Sequence, residues 1–146
     1  MAKKDRKYVL RPSEVKWEQL PDLPHHHGGW GVRDMVRKAQ LSDIPLQRLP
    51  VDVIEMSVPR GGWQETGIHK TRWHVNWIES GRGLFTIDGK KYPVRKGAVV
   101  IIPANTPHAV RNTGNVPLVM FAVHVSPAQT TQERKLGTQA WKPPKR

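Results

Sequence analysis

The residues before His108 are of types that would give its side chain a defined direction. His108 follows the apolar, β-branched run Ala98–Ile102, which ends at Pro103 and predicts a strand buried on both faces. Asn105 can adopt a left-handed conformation and Pro107 fixes the next turn, so the chain re-enters a strand at His108. No cysteine is present, so any metal site must use histidine, carboxylate or amide ligands.

The elements around this histidine are predicted to be short strands. The chain has 13 prolines and 12 glycines in 146 residues, which favours one domain of short elements joined by turns. Asp88-Gly89 is the sharpest hairpin signal, and no helical pattern separates the strands, which excludes a βαβ sheet. We therefore predict an all-β jelly-roll barrel. The predicted strands are Val51–Val58, Trp73–Glu79, Leu84–Asp88, Lys91–Val94, Ala98–Ile102, His108–Asn112 and Leu118–Val125.

The segments on either side of the barrel, residues 51–126, are predicted to be less regular. Residues 1–50 form an irregular arm in which Trp17 and Trp30 anchor the chain, with a short helix or strand over Val32–Leu41. His25–His27 and the two glycines after them predict a flexible loop rather than a ligand cluster, although one of these histidines could cap the pocket. Residues 127–146 form a basic tail.

The charge is strongly positive but concentrated at the two ends of the chain. The formal net charge is +12, from 24 basic and 12 acidic residues. Tails of this kind are usually solvated, and no nucleic-acid-binding motif accompanies them, so binding to nucleic acid is not expected. The sequence shows no signal-peptide pattern and no apolar run long enough to cross a membrane, which predicts a cytoplasmic protein. The basic residues of the tails are Lys3, Lys4, Arg6, Lys7, Arg11, Arg134, Lys135, Lys142, Lys145 and Arg146.

The spacing around His108 resembles a known family motif. Gly97, Pro103, Asn105, His108 and Asn112 follow the pattern G-x5-P-x-[G/N]-x2-H-x3-N, which is similar to the second conserved motif of the cupin superfamily. Asn105 stands where that family usually has glycine, and both residue types tolerate a positive φ. The resemblance covers about residues 50–125. It implies a small single-domain cupin of the Cupin_2 type, with His108 as a metal ligand inside the barrel.

The first cupin motif is only partly kept upstream. Aligned on Gly81, His74 stands where the family has glutamate, His69 stands at the second histidine and Gly67 at the first. The resemblance therefore implies a changed ligand set of three histidines, His69, His74 and His108. The alternative is that these histidines only form hydrogen bonds in a polar barrel mouth.

Strand alternation tests whether His74 can face the barrel interior. His74, Asn76 and Ile78 share one face of the predicted strand, whereas Trp73 and Trp77 share the other. His74 therefore points inward only if the tryptophans face outward or lie across an interface. A shift of the alignment by one residue would reverse the faces.

Three neutral imidazoles suit a divalent transition metal, with Fe(II) as the first expectation and Mn, Ni, Zn or Cu as alternatives. With the resemblance, they imply a metal-dependent dioxygenase or other oxidoreductase acting on a small molecule in the barrel. Arg72 is the candidate clamp for a substrate carboxylate, and Glu65 is the candidate catalytic base or further ligand. His124 is predicted to be a core histidine with satisfied hydrogen bonds, with a role behind the ligands or as a fourth ligand as the alternative.

Other interpretations of the same residues stay open. A metal-dependent isomerase, lyase or cyclase of the sugar-acid type would use the metal only as a Lewis acid. A binding protein without enzymatic activity would need no metal. Single-domain cupins commonly dimerise, so the resemblance also implies a homodimer.

Overall fold

The computed structural model describes residues 16–19, 26–34, 51–126 and 139–140. Within these ranges the regular structure is entirely β, which confirms the predicted fold class. No helix occurs in them, and so none that could cross a membrane. The strands are β1 Glu18–Gln19, β2 His26–His27, β3 Gly31–Asp34, β4 Val51–Val58, β5 Trp63–Gln64, β6 Gly67–Ile68, β7 Trp73–Ser80, β8 Arg82–Ile87, β9 Lys90–Arg95, β10 Val99–Ile102, β11 His108–Asn112, β12 Leu118–Val125 and β13 Gln139–Ala140.

The strands form two antiparallel sheets that face each other as a jelly-roll sandwich. The first sheet has the order β1-β3-β4-β12-β7-β10, and the second has the order β13-β6-β11-β5-β2, with β8 paired to β11 and β9 paired to β8. Strand β12 lies between β4 and β7, so its side chains occupy the middle of the first sheet. The core between the sheets contains Ile78 and Leu118 from the first sheet and Phe85 and Val110 from the second.

Two predicted turns take the conformations that their residues favour. Asp88 and Gly89 connect β8 to β9 and have φ values of 49° and 78°, as a hairpin with two central residues in the left-handed region requires. Asn105, just before β11, has φ 57°, so the predicted left-handed conformation is confirmed. Gly81 has φ 82°, and a Cβ there would collide with the carbonyl oxygen of Pro117, so glycine is required on two grounds.

The prediction that Ala98–Ile102 is buried on both faces is wrong. Strand β10 lies at the edge of the first sheet and alternates, with Val100 and Ile102 buried and Val99 and Ile101 exposed by 53% and 59%. An apolar run indicates two-sided burial only when a second layer covers the outer face. Among the described residues, no second layer covers these two side chains.

The described part of the N-terminal arm joins both sheets. Strands β1 and β3 extend the first sheet beyond β4, and β2 pairs with β5 in the second sheet. Trp30 is 2% exposed, and its indole Nε1 donates a hydrogen bond to the carbonyl of His27 at 3.1 Å. His26 and His27 therefore form a strand instead of the predicted loop. Residues 35–41 of the predicted element at Val32–Leu41, His25, and most of the basic tail lie outside the described residues.

Candidate metal centre

Three histidines from different parts of the chain meet between the sheets. His69 follows β6, His74 is the second residue of β7, and His108 is the first residue of β11. One nitrogen of each lies within 4.8 Å of the other two. The ring centroids are 4.6 Å apart for His69 and His74, 5.4 Å for His69 and His108, and 5.1 Å for His74 and His108. The structure thus brings together the three predicted ligands.

Hydrogen bonds fix the turn that carries His108. Its Nδ1 lies 2.9 Å from the carbonyl oxygen of Thr106, and because a carbonyl only accepts, Nδ1 carries the proton. Its Nε2 is therefore left with a free lone pair, which is the tautomer that a metal ligand needs. The amide of Asn105 donates to the carbonyl of His69 at 2.6 Å, so the His69 loop is tied to the same turn.

Strand β7 presents His74 to the interior. Trp73 and Trp77 are exposed by 47% and 58%, whereas His74 is exposed by 7%. The tryptophans therefore face outward, which confirms the arrangement that an inward His74 requires. Register places His74 between Ile102 on β10 and His124 on β12.

Burial keeps the three imidazoles neutral. Burial and then the nearby Arg72 lower the pKa of His69 from 6.5 to about 2. Burial and then His124 lower the pKa of His74 further still, and burial lowers the pKa of His108 against the opposing effect of its bond to Thr106. The Nε2 of His74 is also buried without a hydrogen-bond partner. Three neutral nitrogen donors, one of them otherwise unsatisfied, fit a divalent transition metal.

His124 packs against this cluster, and the prediction that its hydrogen bonds are satisfied is wrong for Nε2. It stacks on His74 with ring centroids 4.2 Å apart, and its buried Nε2 has no hydrogen-bond partner. Burial and then Arg72 lower its pKa to about 3, against the opposing effect of Asp52. The sequence identified the face of β12 that carries His124, but only the register places His124 beside His74 and Asp52.

The two predicted catalytic residues lie in different environments. Arg72 lines the cavity next to the histidines, and its Nε donates to the hydroxyl of Ser126 at 3.2 Å. Glu65 is not among the cavity-lining residues. Its side chain is 47% exposed, and its Oε1 lies 3.1 Å from the Nε2 of His27. The structure therefore brings Arg72, and not Glu65, to the cluster.

A cavity of about 370 Å³ opens beside the cluster, within the range that holds small ligands. Sequence reasoning missed several of its lining residues, such as Asp52 on β4, His26 on β2 and Gln64 on β5. Asp52 could have been found because it shares the alternating face of Ile54 and Met56, whereas the pairing of His26 with Gln64 joins distant parts of the chain. The lining residues are Glu18, His26, Trp30, Val32, Asp52, Ile54, Met56, Gln64, His69, Arg72, His74, Phe85, His108, Val110, Met120 and His124.

Comparison with known proteins agrees with this architecture. The family model for the cupin domain matches residues 54–124. An uncharacterized protein of Methanocaldococcus jannaschii is 40% identical over 73 residues, which are 50% of this chain and 58% of that protein. An oxalate-binding protein of Thermotoga maritima is 28% identical over 115 residues, which are 79% of this chain and 91% of that protein.

A solved structure shows the same fold over most of the chain. The crystal structure of a predicted oxalate decarboxylase from Thermotoga maritima superposes with a TM-score of 0.69 at 24% identity. The match covers 81% of this chain and 98% of that protein.

Proposed function

This chain belongs to the cupin superfamily, and on that premise we propose that it is a metal-dependent cupin that acts on a small carboxylate held between its sheets. The observation that carries the proposal is the cluster of three buried, neutral imidazoles at the cavity wall. His69, His74 and His108 would hold a divalent transition metal, with Fe(II) first and Mn, Ni, Zn or Cu as alternatives.

The first reaction that we propose is that of an Fe(II) dioxygenase. A bound iron would supply a centre for O2, because three imidazoles leave coordination positions open for O2 and substrate. The residues of this chain would bind and orient the substrate, and Arg72, which lines the cavity, would pair its planar guanidinium with a carboxylate at the edge of the cluster. We assign Glu65 no part, because its carboxylate lies beside His27 outside the cavity.

A second candidate is a lyase or isomerase in which the metal acts only as a Lewis acid. Similarity to a protein described as oxalate-binding favours carboxylate recognition without specifying oxidation. Turnover that persists without oxygen would support this candidate over the dioxygenase. A binding protein without activity would retain its ligand affinity after the metal has been removed.

Metal content is the first test. Protein purified without chelator would be subjected to elemental analysis alongside His108→Ala and the matched control His27→Ala, which changes a histidine outside the cluster. We expect about one transition-metal ion per chain in the wild type and the control, and a large loss in His108→Ala. An absence of metal from all three proteins, even after reconstitution with Fe(II), would refute the metal-dependent proposal. Oxygen uptake with carboxylates would follow.

We also propose that a second copy of this chain covers the outer face of the first sheet. Five apolar side chains are exposed on adjoining strands there: Trp73, Val75, Trp77, Val99 and Ile101. Together they expose roughly 500 Å², which lies within the range of the largest apolar patch of a monomer and is about two thirds of the ~800 Å² per partner of a standard-size interface. Along β7 the apolar patch ends at Glu79, the next outward residue after Trp77.

The oligomeric state tests this interface directly. Sedimentation equilibrium should give a dimer for the wild type and a monomer for Trp77→Glu, because the substitution would bury a charge against an apolar partner. Tyr92→Glu, which changes an exposed aromatic residue on the second sheet, is the matched control and should stay dimeric. A monomeric wild type at micromolar concentration would refute the proposed interface.

A further inference from the structure

The candidate metal ligands of the cavity, together with Asp52 and Arg72, gather at one end of the first sheet. Register aligns Asp52, His124 and His74 in one row across β4, β12 and β7. His69 and His108 approach this row from the loop after β6 and from β11. Arg72 lines the cavity near the same end, where its Nε donates to the hydroxyl of Ser126, the residue after β12. Its charge therefore lowers the pKa of His69, His74 and His124.

In the next rows along the sheet, the side chains that line the cavity are apolar; Asn76, which pairs with Ala122 in the first of these rows, is buried but does not line it. Ile54 pairs with Ala122, and Met56 pairs with Met120, so the polar row gives way to aliphatic side chains within one strand repeat. On the facing sheet, Val110 pairs with Phe85 one repeat beyond His108. Val32, beside Met56, and the buried Trp30 extend this apolar wall from the N-terminal arm.

Charge also differs between the two ends of the cavity. Among the residues that the structure describes, Arg72 is the one lysine or arginine that lines it. The polar groups outside the histidine cluster include Gln64, His26 and Glu18, and Glu18 has the same sign as a carboxylate. A second carboxylate directed at the apolar wall, away from Arg72 and the histidines, would lose its hydration without gaining a cation.

From this gradient we infer that the preferred ligand is a monocarboxylate with an apolar body of several carbons, and not a short dicarboxylate such as oxalate. The inference rests on the proposed carboxylate-binding function and adds the ligand class. The carboxylate pairs with Arg72 beside the histidines. The hydrocarbon body then lies against Ile54, Met56, Met120, Phe85 and Val110, which oxalate could not reach.

The test is calorimetric titration of the protein as purified with a matched series of acids. From acetate through butyrate to hexanoate the hydrocarbon chain becomes longer. Adipate has six carbons, as hexanoate does, but carries a second carboxylate. Oxalate has two carboxylates and no hydrocarbon chain between them. We expect affinity to rise about fourfold per methylene. We also expect hexanoate to bind at least about tenfold tighter than adipate or oxalate.

Two variants separate this inference from the function on which it rests. Val32→Thr keeps the shape of a half-buried lining residue, and it should weaken hexanoate several-fold while leaving acetate unchanged. Arg72→Gln should weaken every acid. If all acids bind the wild type with equal affinity and bind Arg72→Gln more weakly, the ligand class is refuted and the proposed function stands. The same holds if oxalate binds tightest. If no acid binds, or Arg72→Gln has no effect, carboxylate binding itself is refuted together with the inference.

Discussion

Acidification should destabilise the metal-free protein steeply, because four buried histidines must stay neutral in the fold. Burial lowers the pKa of His69 to about 2 and of His124 to about 3, and it also lowers the pKa values of His74 and His108. In the unfolded chain each imidazole binds a proton near its ordinary pKa of 6.5. The stability that depends on neutral histidines is therefore fully present above pH 6.5. The free energy of unfolding falls as the pH drops below that value, because the unfolded chain then binds more protons than the folded one.

The size of the loss follows from proton linkage. Between about pH 7.5 and pH 5.5, a histidine that titrates only in the unfolded state lowers the free energy of unfolding by about 1.4 kcal/mol. The three histidines whose pKa values are lowered most, His69, His74 and His124, give about 4 kcal/mol, and His108 acts in the same direction. This loss is comparable with the whole stability of a small domain at about 5–15 kcal/mol. Burial and then Glu55 raise the pKa of Glu79, so proton uptake by this carboxyl group in the fold would offset part of the loss.

Urea unfolding of chelator-treated protein at the two pH values measures this loss. The wild type should lose at least about 4 kcal/mol, and His124→Gln, with one buried imidazole fewer, should lose about 1.4 kcal/mol less. His27→Gln, at a side chain that is 37% exposed and outside the cluster, is the matched control and should behave as the wild type. A wild-type loss below about 1 kcal/mol would refute the reasoning, because it would mean that the folded protein takes up the same protons.

Further predictions concern the metal, the turns and the ligand charge. Zn(II) at about 100 times its Kd should raise the Tm of the apo protein by about 10 °C, and His69→Ala should abolish the increase measured by calorimetry. Asn112→Ala removes three hydrogen bonds of 2.8–2.9 Å and should lower the free energy of unfolding by about 2–4 kcal/mol in urea titrations. Gly81→Ala should cost about 3 kcal/mol in the same assay, because it combines a positive φ with a collision at Pro117. His74→Glu should retain the metal but weaken hexanoate at least about tenfold by calorimetry, and equal affinity would contradict a charge effect.

Local sequence patterns predicted the strands, because the alternation and the turn residues that define a strand involve only neighbouring residues in the sequence. Alternation and turn residues located β4, β11 and β12 to the residue, and the Asp88-Gly89 hairpin formed as expected. The same alternation gave His74 its face, once the exposed tryptophans settled the choice between the two sides of β7. Periodicity is a property of the single strand, so these features could be read from the sequence.

What could not be predicted depends on register and on what covers each face. Ile101 belongs to an apolar run that looks buried on both sides, yet it is exposed because β10 lies at a sheet edge. Alternation could have given Asp52 its inward face, but only the pairing of β4 with β12 places it beside His124, and His26 reaches the cavity only because β2 pairs with β5. A pairing between distant strands leaves no periodic signal in either one.

The histidine at position 74 links the candidate metal centre to the proposed ligand. A glutamate at this position, as in the related pattern, would neutralise one of the two charges of a divalent ion, whereas an imidazole leaves both. With Arg72 beside the cluster, a metal-loaded site would have an excess of positive charge that Asp52 offsets only in part. A bound anion would then neutralise the remaining positive charge in the cavity between the sheets, where Coulomb attraction is stronger than in water. The change from glutamate to histidine therefore favours anion binding, and the apolar rows beyond it determine which anion fits.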